Sequence, residues 1–313
     1  MICLVTGAAG FIASHLCKRL LKEGFSVIGV DSFTDFYPEW IKKKNIEQLG
    51  KEKDFEFITE DLENLDLKKL LKQSDNVFHL AAQPGVRTSW GQNFSVYIKN
   101  NIQVTQKLLE VAKEIPLNKF IYASSSSVYG LCHDLPMTEE SHLHPISPYG
   151  VTKLAAEQLC SLYFKNYAVP TISLRFFTVY GLGQRPDMAF HKFFKAIIEG
   201  KEIMVYGDGK QTRDFTYIDD IIEANLAALN RGKIGEVYNI GGGNQEKLED
   251  IFPLLEEVCQ KKINIKKIEW QKGDVRHTYA DIGKAQKDLN YFPQTYLKEG
   301  LKEEWIWIQY LYS

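Results

Sequence analysis

Short apolar runs alternate with amphipathic stretches through the first 180 residues. Ile2–Thr6, Phe25–Val30, Phe55–Thr59, Asn76–Ala81, Lys119–Ser124 and Thr171–Arg175 are brief and rich in β-branched and aromatic residues, the composition of strands. Phe11–Lys22, Trp40–Leu49, Leu67–Leu71, Val96–Ala112 and Tyr149–Lys165 carry apolar residues at three-and-four spacing, which predicts helices between them. Most of the strand runs, Ile2–Thr6 above all, are largely apolar rather than strictly alternating. That is the pattern of a parallel sheet covered on both faces, and right-handed crossovers make such a sheet doubly wound.

After Gly181 the rhythm breaks. Helical runs are predicted at Phe190–Glu199, Tyr217–Leu229, Leu248–Val258 and Leu301–Ile308, with strand-like pieces at Ile203–Tyr206 and Val237–Ile240. Turns mark Gly207-Asp208-Gly209 and Gly241-Gly242-Gly243. The expected organisation is a sheet domain over residues 1–180, mostly, and a smaller α/β lobe over 181–313, with some chain crossing back. The aromatic C-terminal stretch, Trp305, Trp307, Tyr310 and Tyr312, reads as packing.

Composition changes little in this picture. Hydrophobic residues make up 44% and charged residues 25% of the 313, as in ordinary globular chains. The net charge of −2 and the short lysine runs at Lys42–Lys44 and Lys266–Lys267 give no concentrated basic face, so nucleic acid is not an expected partner. Five scattered cysteines without a Cys-x-x-Cys pair fit a reducing compartment and offer no metal site. Met1 runs directly into a strand, and no apolar segment has spanning length, so a soluble, cytoplasmic protein without a membrane partner is expected.

The chemistry begins at Thr6-Gly7-Ala8-Ala9-Gly10-Phe11-Ile12-Ala13, between the first strand and the first helix. The glycines allow a tight turn and close approach to a pyrophosphate, which the helix N-terminus then faces with free N–H groups. In this context the loop points to a dinucleotide-binding, Rossmann-type sheet. Asp31 ends the second strand, placed to bind adenosine ribose hydroxyls and to repel a 2′-phosphate, which favours NAD over NADP. Asp61, after the third strand, reads equally as an adenine contact or as the cap of the next helix.

Tyr149-Gly150-Val151-Thr152-Lys153 puts a tyrosine and a lysine at i and i+4 on one helix face. A nearby ammonium favours the phenolate, so Tyr149 can serve as a base well below its usual range. Alone, this spacing occurs by chance in many helices. The glycine loop and the serine run Ser124-Ser125-Ser126-Ser127 at a strand end give it context.

The chain resembles the extended short-chain dehydrogenases/reductases, in their nucleotide-sugar epimerase/dehydratase group. The likeness rests on the glycine loop, His79-Leu80-Ala81-Ala82, the serine run with Val128-Tyr129-Gly130, Ser147-Pro148-Tyr149-Gly150 with Lys153, Arg175-Phe176-Phe177-Thr178-Val179-Tyr180-Gly181, and Gly207-Asp208-Gly209 followed by Arg213-Asp214-Phe215. It implies Ser125, Tyr149 and Lys153 as the catalytic triplet. For NAD it implies Gly7, Ala9, Gly10, Phe11, Ile12, Asp31, Ser32, Asp61, Leu62, Leu80, Ala81, Ala82, Asn100, Ser124, Tyr149, Lys153 and Phe176. For a UDP-sugar it implies Pro84, Gly85, Val86, Arg87, Ser126, Ser127, Thr178, Arg185, Met188, Ala189, Phe190, Val205, Tyr206, Gln211, Arg213 and Arg276. Arg213 and Arg276 would hold the diphosphate and Met188-Ala189-Phe190 would line the uracil pocket; the structural alternative for the two arginines is an ion pair with Asp214 or Asp274. The resemblance also implies a homodimer that pairs the long helices Val96–Ala112 and Tyr149–Lys165 with those of a second copy.

Three segments narrow the likeness to UDP-glucuronate 4-epimerases: Asp31-Ser32-Phe33-Thr34-Asp35-Phe36-Tyr37, Pro84-Gly85-Val86-Arg87-Thr88-Ser89-Trp90, and Gln184-Arg185-Pro186-Asp187-Met188-Ala189-Phe190. The expected reaction removes hydride from C4, turns the 4-keto sugar over and returns the hydride to its other face, giving UDP-galacturonate from UDP-glucuronate. The intermediate is a β-keto acid prone to lose CO₂. Arg185, with Arg87 as a second candidate, would hold its carboxylate. Related dehydratases and decarboxylases have a glutamate where this chain has Ser127, and the dehydratases an aspartate at Ser126, so simple epimerisation is favoured. UDP-glucose epimerisation, UDP-glucuronate decarboxylation and a non-catalytic NAD-sensing role are the alternatives. Against UDP-glucose stands the argument that Arg185 facing a neutral C6 group would lack a partner.

Overall fold

The computed structural model describes residues 1–132 and 134–313. Its centre is a seven-stranded sheet: β1 (Ile2–Thr6), β2 (Ser26–Asp31), β3 (Phe55–Thr59), β4 (Asn76–His79), β5 (Lys119–Ser125), β6 (Thr171–Phe176) and β7 (Val237–Ile240). The spatial order is β7-β6-β5-β4-β1-β2-β3, and every neighbouring pair is parallel. The doubly wound sheet is as expected.

Burial explains why the strand runs do not alternate. Cys3 and Val5 of β1 face one apolar cluster with Phe78, Ile121, Ile172 and Leu174. Leu4 faces the opposite cluster with Val77, Phe120 and Tyr122. Successive side chains point to opposite faces, and both faces are core. Sequence order reverses between β1 and β4, whose ends lie level, with Thr6 beside His79 and Val30. A crevice opens at such a point, outside the carboxyl ends of the strands.

The seventh strand comes from the second half of the chain. β7 lies against β6, and the helix Ile218–Arg231 packs on Phe11–Lys22. Smaller paired strands carry the rest: Thr178–Tyr180 with Phe215–Tyr217, Ile203–Tyr206 with Ile265–Ile268, and Thr212–Arg213 with Glu246–Lys247. The last helix runs Leu297–Tyr312, longer than its apolar stretch, because its first turn is largely exposed. Trp305 is buried, as packing requires, whereas Tyr310 stands exposed with Lys44 over its ring.

The helix expected at Val96–Ala112 starts at Phe94 and contains a π-helical turn, Ile98–Gln103. Such turns insert one residue and re-aim side chains. Here Asn101 points inward, accepts from the Gln83 N–H at 2.7 Å and donates to Thr152 Oγ1 at 2.9 Å, while Asn100 lines the crevice.

Candidate active site

A cavity of about 610 Å³ runs along the carboxyl ends of the strands. The glycine loop forms one end. Gly7 has φ +72°, and a Cβ there would stand 3.0 Å from the Ala81 backbone; one at Gly10 would stand 2.9 Å from the Gly7 carbonyl. Only glycine leaves this cradle open. Asp31 accepts from the Ala9 N–H at 3.1 Å and the Phe33 N–H at 2.8 Å, one bond to each oxygen. Each oxygen keeps a lone pair for a ribose hydroxyl. Burial raises the Asp31 pKa, against the pull of the two N–H bonds and of Lys42.

His79 is structural. Its ring lies between Thr6 Oγ1 at 2.8 Å and Thr105 Oγ1 at 2.9 Å, and burial pushes its pKa down to about 3. Thr6 Oγ1 in turn accepts from the Ala81 N–H at 3.1 Å, which fixes the loop under the cradle. Asp61 pairs with Lys99 at 2.9 Å and accepts from the Glu63 N–H, whereas Asp66 caps the following helix. Of the two readings of Asp61, the helix cap is thus set aside.

The helix Pro148–Tyr167 carries the catalytic pair. Ser147 caps it, accepting from the Gly150 N–H at 3.1 Å, and Pro148 opens it. Lys153 is buried, donates to the Ala123 carbonyl and lies 4.4 Å from the Tyr122 ring centre. Burial pushes its pKa down to about 7. Burial raises Tyr149, and a hydrogen bond with Ser125, then the Arg185 charge, pull it back. Ser125 Oγ donates to Ser127 Oγ at 3.2 Å and accepts from the Ser127 N–H. Ser124 turns away from this chemistry and donates to Glu157 at 2.6 Å. Glu157 is gripped by Arg175 at 2.6 and 3.0 Å, both side chains almost fully buried.

The structure brings nearly every residue expected for cofactor and sugar to this one cavity. Three stand apart. Ala9 contributes its backbone N–H to Asp31 rather than lining the space. Phe190 is fully buried in the core, 4.8 Å from Phe215 ring to ring, while Met188 and Ala189 line the cavity as expected. Arg276 is exposed at a bend of the chain and pairs with Asp208 at 2.8 Å, away from the cavity. Arg213 stays on the cavity wall, donates to the Thr212 and Arg276 carbonyls and makes no ion pair among the described residues. The expected alternative partner, Asp274, pairs with Arg87 at 2.6 Å, and Arg87 also stacks 3.9 Å from the Tyr206 ring centre. Buried Gln211 keeps Oε1 without a partner, an open acceptor on the wall.

Residues that sequence reasoning missed also line it: Tyr37, Lys42, Asp187, Lys192 and Asp274. Lys42 donates to the Thr34 carbonyl at 2.5 Å. In sequence these belong to turns and amphipathic helices, and only the fold turns them inward.

A glycine cradle, a ribose carboxylate and a Tyr–Lys pair beside a serine at the switch point define an NAD-dependent short-chain dehydrogenase/reductase. The model of the NAD dependent epimerase/dehydratase family matches residues 3–241. The chain is 50% identical, with full coverage of both chains and a TM-score of 0.97, to UDP-glucuronic acid 4-epimerase from Bacillus cereus, solved with UDP-glucuronic acid and NAD. It is 41% identical to the UDP-glucuronate 4-epimerase of Thermodesulfobacterium geofontis, covering 97% of this chain and 95% of that one. It is 46% identical to the uncharacterized UDP-glucose epimerase YtcB of Bacillus subtilis, covering 99% and 98%. The chain belongs to the NAD dependent epimerase/dehydratase family.

Proposed function

We propose that this protein is an NAD-dependent UDP-glucuronate 4-epimerase, interconverting UDP-glucuronate and UDP-galacturonate. The observation that carries the reading is Arg185. It lines the cavity close enough to Tyr149 for its charge to lower the tyrosine pKa, and the serine run beside them holds no carboxylic acid. A sugar whose C4 hydroxyl meets Tyr149 then has its C6 group toward Arg185.

The cradle, Asp31 and Lys153 fit the dinucleotide, which when bound supplies a hydride acceptor that returns the hydride after the sugar turns. Tyr149 takes the proton from O4, and Ser125 steadies the same oxygen. Lys153 lies one helical turn from Tyr149, on the same face. Arg185 grips the carboxylate, and Arg213, Arg87 and Lys192 set positive charge along the wall for a diphosphate. Gln211 Oε1 offers an acceptor to an N–H of the base.

One expectation changes. Arg185 already has a partner in Asp187, at 2.9 Å. A neutral C6 group would not strand its charge, so UDP-glucose stays as a second reading. Incubation with each UDP-sugar, followed by NMR, separates them: UDP-galacturonate from UDP-glucuronate without CO₂ supports the first, turnover of UDP-glucose alone the second.

We further propose that residues 1–180 chiefly form the NAD domain and 181–313 the sugar lobe, with β7 returned to the sheet. A homodimer fits Val96, Val151, Leu162 and Tyr167, apolar and exposed on the two long helices. A cytoplasmic location is supported by five free cysteines. Among the described residues no helix is long and apolar enough to cross a membrane.

A further inference from the structure

We infer that Asp187 is a positioning residue that holds the Arg185 guanidinium in one orientation, so that the substrate carboxylate is held in one place and the 4-keto intermediate keeps its CO₂. This rests on the UDP-glucuronate reading above.

The pair is built side-on. Arg185 Nε donates to Asp187 Oδ1 at 2.9 Å and Nη2 to Oδ2 at 3.0 Å. Two donors matched to two acceptors fix the rotation of the guanidinium as a single contact would not. The backbone beneath is braced. Arg185-Pro186-Asp187-Met188 is a turn closed by Met188 N–H to the Arg185 carbonyl at 3.0 Å. The preceding Gln184 is buried; its Oε1 accepts from the His191 N–H at 3.0 Å, and its carbonyl lies 2.6 Å from His191 Nδ1. Both charged side chains are largely shielded, at 20% and 30% exposure. Water therefore competes weakly for the pair.

A guanidinium has five N–H groups, and Asp187 uses two. Among the described residues Arg185 makes no other side-chain hydrogen bond. The end-on edge, one hydrogen each of Nη1 and Nη2, is free for a second carboxylate. Tyr37 walls the same corner, with its hydroxyl buried and unpartnered and Arg185 the largest charge acting on it.

The position of the carboxylate matters because it fixes the direction of the C5–C6 bond. In the 4-keto acid the C5–C6 bond breaks when it stands perpendicular to the C4 carbonyl plane. Its electron pair then forms the C4–C5 enolate, CO₂ leaves, and C5 takes a proton to give a UDP-4-keto-pentose, with the C4 hydride left on NADH. A carboxylate locked on a fixed fork is kept from that alignment. A loosened fork lets it swing.

The test measures product partition in Asp187→Asn and Asp187→Ala, with melting temperature and bound NAD as folding controls. We expect folded, NAD-loaded variants to raise the share of turnovers that release CO₂ by about tenfold, with a higher KM for UDP-glucuronate. An unchanged CO₂ share, with only KM or stability altered, would overturn the inference. If both variants misfold, Arg185→Lys decides: an ammonium cannot be held side-on, so it should leak CO₂ likewise, and clean epimerisation would reject the role. Wild-type protein that leaves UDP-glucuronate unchanged refutes the underlying reading instead.

Discussion

Lys153 shows how burial sets chemistry one side chain at a time. Desolvation pushes its pKa down to about 7 from an ordinary value of about 10.4. Folding therefore releases a proton between those two values. The burial penalty is complete below pH 7 and is relieved as pH rises toward 10, so stability contributed at this site climbs over that window. Lys153→Met removes the titration. Relative to the variant, wild-type stability should increase from about pH 7 to about pH 10, read from melting temperatures in a pH series. The same substitution takes the amine from the turn after Tyr149, whose pKa burial already raises. Turnover should fall by about 100-fold or more, and the acid limb of the kcat profile should move to higher pH. An unmoved limb would place Lys153 outside the ionisation of Tyr149.

At the scale of elements, the site depends on how Pro148–Tyr167 is tied to β5 and β6. Glu157, two turns beyond Tyr149, takes Arg175 of β6 and the Ser124 hydroxyl of β5. Arg175 reaches on to the Tyr129 hydroxyl at 2.8 Å, which donates to Asn239 of β7 at 2.6 Å. One buried network thus fixes the catalytic helix to three strands. Removing one partner leaves the other charge buried and unpaired. Glu157→Leu should cost about 3–5 kcal/mol of stability, seen as a lower denaturation midpoint. A cost under about 1 kcal/mol would show that the network positions without stabilising.

At the scale of the whole molecule, the two long helices, one of them the catalytic helix, carry exposed apolar residues. Val151 is 46% exposed and Leu162 52%. The proposed homodimer covers these residues, and the apolar area removed from water would drive it. Val151→Glu with Leu162→Glu should shift the species measured by light scattering from dimer to monomer. A wild-type monomer at micromolar concentration would set the proposal aside.

Much of this architecture was legible in the chain. Uninterrupted apolar runs such as Ile2–Thr6 determine strands buried on both faces, because no polar side tolerates water, and Gly7 and Gly10 at the end of the first run determine a cradle that no side chain fills. Tyr149 and Lys153 share a face by helical spacing alone. Other features were settled only when distant segments met. Residues 237–240 joined the main sheet because β6 offered a free edge, which local pattern does not reveal. The π-helical turn at Ile98–Gln103 depended on Asn101 finding Gln83 and Thr152. Arg276 found Asp208 at the surface, Phe190 found the core, and Asp187 claimed half of Arg185. Periodicity and backbone conformation are local properties that a sequence carries in itself. The partner of a charge is a property of three-dimensional neighbourhood, and only the folded chain could choose it.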